Sequence, residues 1–125
     1  MEELDIIHKR IKDFPLFSGL ERTQVFFLLT YLDARFEVLE KGRMVFPLAK
    51  TIDSFALILG GSVELAQYDY WGNRSIILTQ EAGESVGLPS SLFEDWVPPA
   101  GVVVRSRCEL LFLKAAKLRA SEALV

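Results

Sequence analysis

Hydrophobic positions in the first third of the chain recur at helical spacing. Leu4, Ile7, Ile11 and Phe14 fall on one stripe, with Lys9, Arg10 and Lys12 off it. The spacing predicts a helix that Pro15 stops. A second helix is predicted from about Glu21 to Asp33. Its Phe- and Leu-rich arc is wide, so it is expected to be pinned between layers rather than to lie on the surface.

From Ala34 the period changes to two. "ARFEVLE" alternates, Lys41-Gly42 turns the chain, and "RMVFPL" alternates again. "SFALILGG" is nearly all apolar, the pattern of a strand buried on both faces. Gly60-Gly61 reads as a tight turn into "SVELAQYDY", and "WGN" as a turn into "RSIILTQ". "GVVVRS" and "CELLFLK" follow. Seven or eight short strands at regular spacing predict an all-β barrel or jelly roll. The tail "KAAKLRASEALV" returns to helical composition, with Ala116, Ala120 and Leu124 on one face and Leu113 a turn earlier. It is expected to continue in a longer parent protein; a short packing helix that frays at its end is the alternative.

Length and charge narrow the function. At 125 residues the chain is one domain. Half of the residues are hydrophobic and the mean hydropathy is +0.26, which predicts a thick core plus an apolar surface that meets a partner. No apolar run reaches the ~18 residues of a membrane span. A net charge of −3 does not favour nucleic acid. Cys108 is the only cysteine, so no internal disulfide forms, and a reducing, cytoplasmic setting is expected.

Helices, a jelly roll and a closing helix, in this order, resemble the cyclic-nucleotide-binding sensor domain of Crp/Fnr-type bacterial transcription regulators. "FPLFSGL" (14–20) is similar to the family's lead into its second helix, and "EKGRMVF" (40–46) to its "KGE-x-IF" turn and strand. "LILGGSVEL" (57–65) resembles its "L-x-G-x-V" hairpin, and "EAGESVG" (81–87) its "P-G-D-x-x-G" loop. "CELLFL" (108–113) is similar to the strand that leads into the long dimerisation helix. "YDYWGNRSI" (68–76) resembles the hairpin of one regulator subgroup. The resemblance implies helices over 1–33, a jelly roll over 34–113 and the start of a dimerisation helix over 114–125. It also implies a homodimer through that helix, and a DNA-binding domain that this chain lacks. A stand-alone ligand-binding or interaction module of the same fold, with no DNA role, is the alternative.

In the family, backbone N–H groups at a helix start hold the cyclic phosphate together with an arginine, and a glutamate after the second loop glycine grips the ribose. A helix N-terminus offers unpaired donors, and an arginine fork adds charge-assisted bonds. The matching pocket here comprises Gly83, Glu84, Ser85, Val86, Gly87, Leu88, Ser90, Ser91, Pro98, Pro99 and Ala100. Leu88 stands at the glutamate position and cannot accept a hydroxyl. Pro98 stands at the arginine position, ten residues before Cys108. Pro89 removes an N–H from the nest. Glu84, Glu94 and Asp95 repel a phosphate. Weak or no binding of cAMP and cGMP is therefore expected. Leu92, Phe93, Trp96 and Val97 make the loop apolar, which suits either a pocket for a small hydrophobic or aromatic effector or a plug of the protein's own side chains. Gly87 marks a close backbone approach, to a ligand or to a neighbouring strand.

Other chemistry finds little support. Arg105-Ser106 lies too near Cys108 to replace the missing pair, and a solvent-facing strand arginine is the reading. A metal cupin needs several inward histidines, but His8 is the only histidine and lies outside the strands. Cys108 opens an apolar strand and reads as a small core residue. No nucleophile has a credible partner, so no enzyme and no cofactor is expected.

Overall fold

A computed structural model describes residues 2–46, 54–68, 70–87 and 101–114. Helix α1 spans Glu2–Ile11, a 3-10 turn spans Pro15–Phe17, and α2 spans Arg22–Tyr31. Six strands follow: β1 (Arg35–Leu39), β2 (Met44–Phe46), β3 (Ser54–Tyr68), β4 (Arg74–Glu81), β5 (Ser85–Val86) and β6 (Gly101–Lys114).

Local chemistry sets the helix ends. Phe14 is extended, with φ −68° and ψ 141°, because a residue before proline is pushed out of the helical region. Pro15 then opens the 3-10 turn, where its missing N–H costs nothing. At α2, the backbone N–H of Glu21 donates to Gln24 Oε1 at 2.8 Å, which satisfies one donor of the first turn. Asp33 leaves α2 at φ +49°, a conformation that aspartate tolerates better than most residues.

The strands β3 and β6 form one long antiparallel ladder, from Ser54 opposite Lys114 to Ala66 opposite Gly101. β1 and β2 pair the outer edge of β6, and β4 and β5 pair the other edge of β3. The ladder is irregular between Ile58 and Val63, and there the ribbon bends. Gly60-Gly61 is thus a bulge inside one 15-residue strand, not the tight turn between two strands that the sequence suggests. β6 likewise joins "GVVVRS" and "CELLFLK" in a single strand. This merging reduces seven or eight expected strands to six among the described residues.

Bending the ribbon buries both of its faces. Phe55, Leu57, Leu111 and Leu113 meet Ile11, Phe14, Phe17, Val25, Leu29 and Leu32 from the helical segment. Their neighbours Ala56, Ile58, Leu110 and Phe112 face the other way, against Phe46, Val63, Val86, Val102, Val104 and Cys108. This two-sided burial is why "SFALILGG" shows no polar alternation. Each Leu, Ile or Phe buried in this way contributes about 1.5–3 kcal/mol of transfer free energy.

The second helix departs from expectation. Val25 and Leu29 point inward, but Phe27 is exposed and stacks on Tyr31 with ring centroids 6.4 Å apart. One stripe of α2 suffices to cover the sheet, so the helix lies on the surface despite its wide apolar arc. An ion pair fixes α1 at the bend. Arg10 Nη1 lies 2.5 Å from Glu109 Oε2, and Arg10 Nη2 donates to Leu59 O at 3.1 Å. That hydrogen bond from Arg10 holds the Glu109 carboxyl below the usual carboxylate range. A carboxyl depressed by folding stabilises the fold above its unfolded pKa of about 4.3 and loses that effect as pH falls through its folded value. Glu109→Gln should therefore lower the urea midpoint modestly near neutral pH, with the difference from wild type vanishing as pH falls through the folded value of that carboxyl. Among the described residues, no helix is long and apolar enough to cross a membrane.

Candidate functional site

The turn from β4 into β5 carries the first half of the predicted pocket. Gly83 adopts φ +96° with open space where a Cβ would be, so its requirement is conformational alone. Its N–H donates to Ile58 O at 2.9 Å, Ile58 N–H donates to Glu84 O at 2.9 Å, and Glu84 N–H donates to Glu81 O at 3.1 Å. The amides of Gly83 and Glu84 are thus committed to the backbone and are not donors for an anion. Gln80 Nε2 reaches Ser85 O at 2.9 Å and closes the turn. Glu84 Oε1 accepts from Glu81 N–H at 3.2 Å.

Val86 enters the barrel core, and Gly87 follows at φ +95°. A Cβ on Gly87 would lie 3.0 Å from Phe46 Cε2 and 3.3 Å from both Phe55 Cα and Ser54 O. The close approach the sequence suggested is therefore made to a neighbouring strand. Leu88, Ser90, Ser91, Pro98, Pro99 and Ala100 lie outside the described residues.

The core around Val86 is apolar. Phe46 packs edge-on to Phe112 with centroids 6.1 Å apart, beside Val63, Val102 and Val104. Leu65 extends this lining, and Leu78 sits opposite it on β4, half exposed. Among the described residues, Ser62 is the only polar or charged residue that is buried. Arg105 is half exposed, with its Nε 3.7 Å from Glu64 Oε1, and Glu64 also receives Arg74. It is the solvent-facing strand arginine the sequence suggested, already paired with a carboxylate.

Gly83, Glu84 and Ser85 have a second role that the sequence did not reveal. With Gln80, Leu57, Phe14, Pro15 and Leu16 they line an open cleft of about 590 Å³ on the helix side of the sheet. "FPLFSGL" carried the signal in part, since its first three residues form one wall. Nothing in their spacing, however, links them to a turn some seventy residues away.

The remaining candidates are structural. Cys108 is buried, with Sγ 3.1 Å from the carbonyls of Ser62 and Ser106, and burial pushes its thiol pKa up. An unreactive thiol in the core matches the reading of its sequence position. His8 lies edge-on to Phe26 at 6.0 Å. Among the described residues, no group of three or more His, Cys, Asp or Glu could hold a metal ion.

The family described as "Cyclic nucleotide-binding domain" matches residues 36–121. The chain belongs to that family. The sensor domain of the transcriptional regulator DNR from Pseudomonas aeruginosa shares its fold, with a TM-score of 0.83 and 19% identity, over 98% of this chain and 81% of that one. The catabolite activator protein of Thermus thermophilus is 25% identical, with a TM-score of 0.69 over 85% of this chain and 48% of that one. A cAMP-bound triple mutant of the regulatory subunit of a cAMP-independent protein kinase A from Trypanosoma brucei gives a TM-score of 0.76 at 19% identity, over 91% of this chain and 41% of that one. This chain therefore spans less than half of the last two proteins. No curated protein matches it in sequence.

Proposed function

We propose that residues 1–125 form the effector-sensing domain of a Crp/Fnr-type transcription regulator whose effector is neither cAMP nor cGMP. The observation that carries this reading is the pair of replacements at the ligand positions, Leu88 for the ribose glutamate and Pro98 for the phosphate arginine. Two features support it: the Gly83 and Glu84 amides are already bonded to backbone, and no charged residue is buried among those described. A site without a cation does not hold a desolvated phosphate, because an unpaired buried anion costs several kcal/mol. The Trypanosoma protein is described as cAMP-independent while its mutant binds cAMP, which fits a fold whose ligand response is separable from its frame.

The effector in this reading is a small apolar or aromatic molecule with one polar handle, held by the segment 83–100. Its binding shifts a population of conformers in that segment and in the helix over 114–125. In the full-length protein the helix that begins there forms the homodimer, and a DNA-binding domain reads two half-sites. The protein works in the cytoplasm, without a membrane contact, and the domain performs no catalytic step. A thermal-shift screen tests the proposal. Neutral aromatic or aliphatic alcohols and amides should raise the Tm by a few degrees at saturation, since a ligand at about 100 times its Kd adds roughly 2.7 kcal/mol. A screen in which no small molecule moves the Tm would overturn effector sensing.

A further inference from the structure

Edge strands expose unpaired N–H and C=O groups, and proteins guard them with short length, charges, proline or bulges. Among the described residues, three of the four edges here are guarded. β2 has three residues and β5 has two, while β1 alternates charge along "RFEVL". β4 is different. It is eight residues long, pairs only with β3 among the described residues, and carries no charge or proline between Arg74 and Glu81. Ile76, Ile77 and Leu78 are 55%, 53% and 48% exposed. A bulge places Ile77 between the pairs Leu65–Leu78 and Ala66–Ile76, so two consecutive isoleucines face solvent. At the tip of the hairpin, Tyr70 and Trp71 are 94% and 81% exposed and pack edge-on, with centroids 5.6 Å apart.

The geometry points to β4 as an interface between two copies of this chain. The strand "RSIILTQE" is complementary to itself when run antiparallel. One register places Arg74 of each copy opposite Glu81 of the other and Ile77 opposite Leu78, and it joins the two sheets across a two-fold axis. Arg74, which rests on Glu64 in the single chain, then has a carboxylate on either side. Continued past the strand end, the same register brings Trp71 level with Glu84 of the second copy and Tyr70 level with Ser85. Both fall at the mouth of the 590 Å³ cleft walled by Phe14, Pro15 and Leu16. The aromatic tip of each copy caps that cleft in its neighbour, so occupancy of the turn and association of the chains become linked.

Sedimentation equilibrium on the chain, with two charge variants, tests the interface. Wild type should dimerise with a Kd of roughly 10–100 µM, as suits a small interface. Arg74→Glu and Glu81→Arg should each weaken dimerisation about tenfold or more, because each sets like charges face to face. Mixed in equal amounts they should regain wild-type affinity, since every facing pair in the heterodimer is again opposite in charge. Ile77→Lys should be monomeric, which carries the test if Arg74→Glu fails to fold beside Glu64. A monomeric wild type, variants that dimerise as wild type does, or a mixture no tighter than its components would each overturn the interface. An association lost only on deleting residues 114–125 would likewise place it on the terminal helix instead.

Discussion

Gly61→Ala is expected to lower stability by about 3 kcal/mol or more, a large share of the roughly 5–15 kcal/mol that holds a domain folded. Two costs combine at this position. Gly61 holds φ +83°, a region where an L side chain costs roughly 1–2 kcal/mol. Its Cβ would also lie 2.1 Å from Arg107 O and 2.9 Å from Cys108 Cα, both backbone atoms of the facing strand. Backbone in a ladder does not rotate aside as a side chain does, so β3 and β6 must separate at the bend. The bend places one half of the ribbon under the helices and folds the other over the barrel core. Gly72→Ala is the control: φ is +84° there, but nothing lies within 4 Å of the added Cβ. It should lose only about 1–2 kcal/mol in the same urea titration.

Phe55→Ala should cost about 3–5 kcal/mol, the range for removing a fully buried aromatic ring. Phe55 has no exposed surface and packs with Phe17, Leu57 and Leu113 between helices and sheet. Its backbone also abuts Gly87, whose would-be Cβ lies 3.3 Å from Phe55 Cα. The empty volume therefore loosens the layer under the pocket loop as well as the helices. Urea titration should show the lower midpoint, and hydrogen exchange should show faster opening around Val86 and Gly87. Phe27→Ala removes a ring that is 72% exposed, and its cost in urea should stay within about 1 kcal/mol.

Fold class was legible because it rests on periodicity. The alternation around Phe36 and Val38, the unbroken apolar run through Ile58 and the glycines at strand ends identify a bent β structure without any tertiary information. The bend itself was misjudged. Gly60-Gly61 has the composition of a hairpin turn, and only the continuous pairing with β6 distinguishes a bulge from a turn. The surface position of α2 escaped for a similar reason. Its sequence states how much of the helix is apolar, while the area of sheet beneath it decides how much is covered. At the proposed site, Leu88 and Pro98 stand where the family resemblance implies a glutamate and an arginine, which is legible because it is a matter of residue identity. The use of the Gly83 and Glu84 amides was not, since hydrogen-bond partners such as Ile58 lie across the sheet. The wall formed by Phe14, Pro15 and Leu16 was hidden because it meets the turn only in the folded chain.

Calorimetric titration of residues 1–125 with cAMP and with cGMP addresses the proposed loss of nucleotide binding most directly. With leucine at position 88 and proline at position 98, no saturable heat is expected up to roughly millimolar nucleotide, equivalent to less than about 4 kcal/mol of binding. A saturable isotherm with a Kd in the micromolar range or tighter, for either nucleotide, would contradict it.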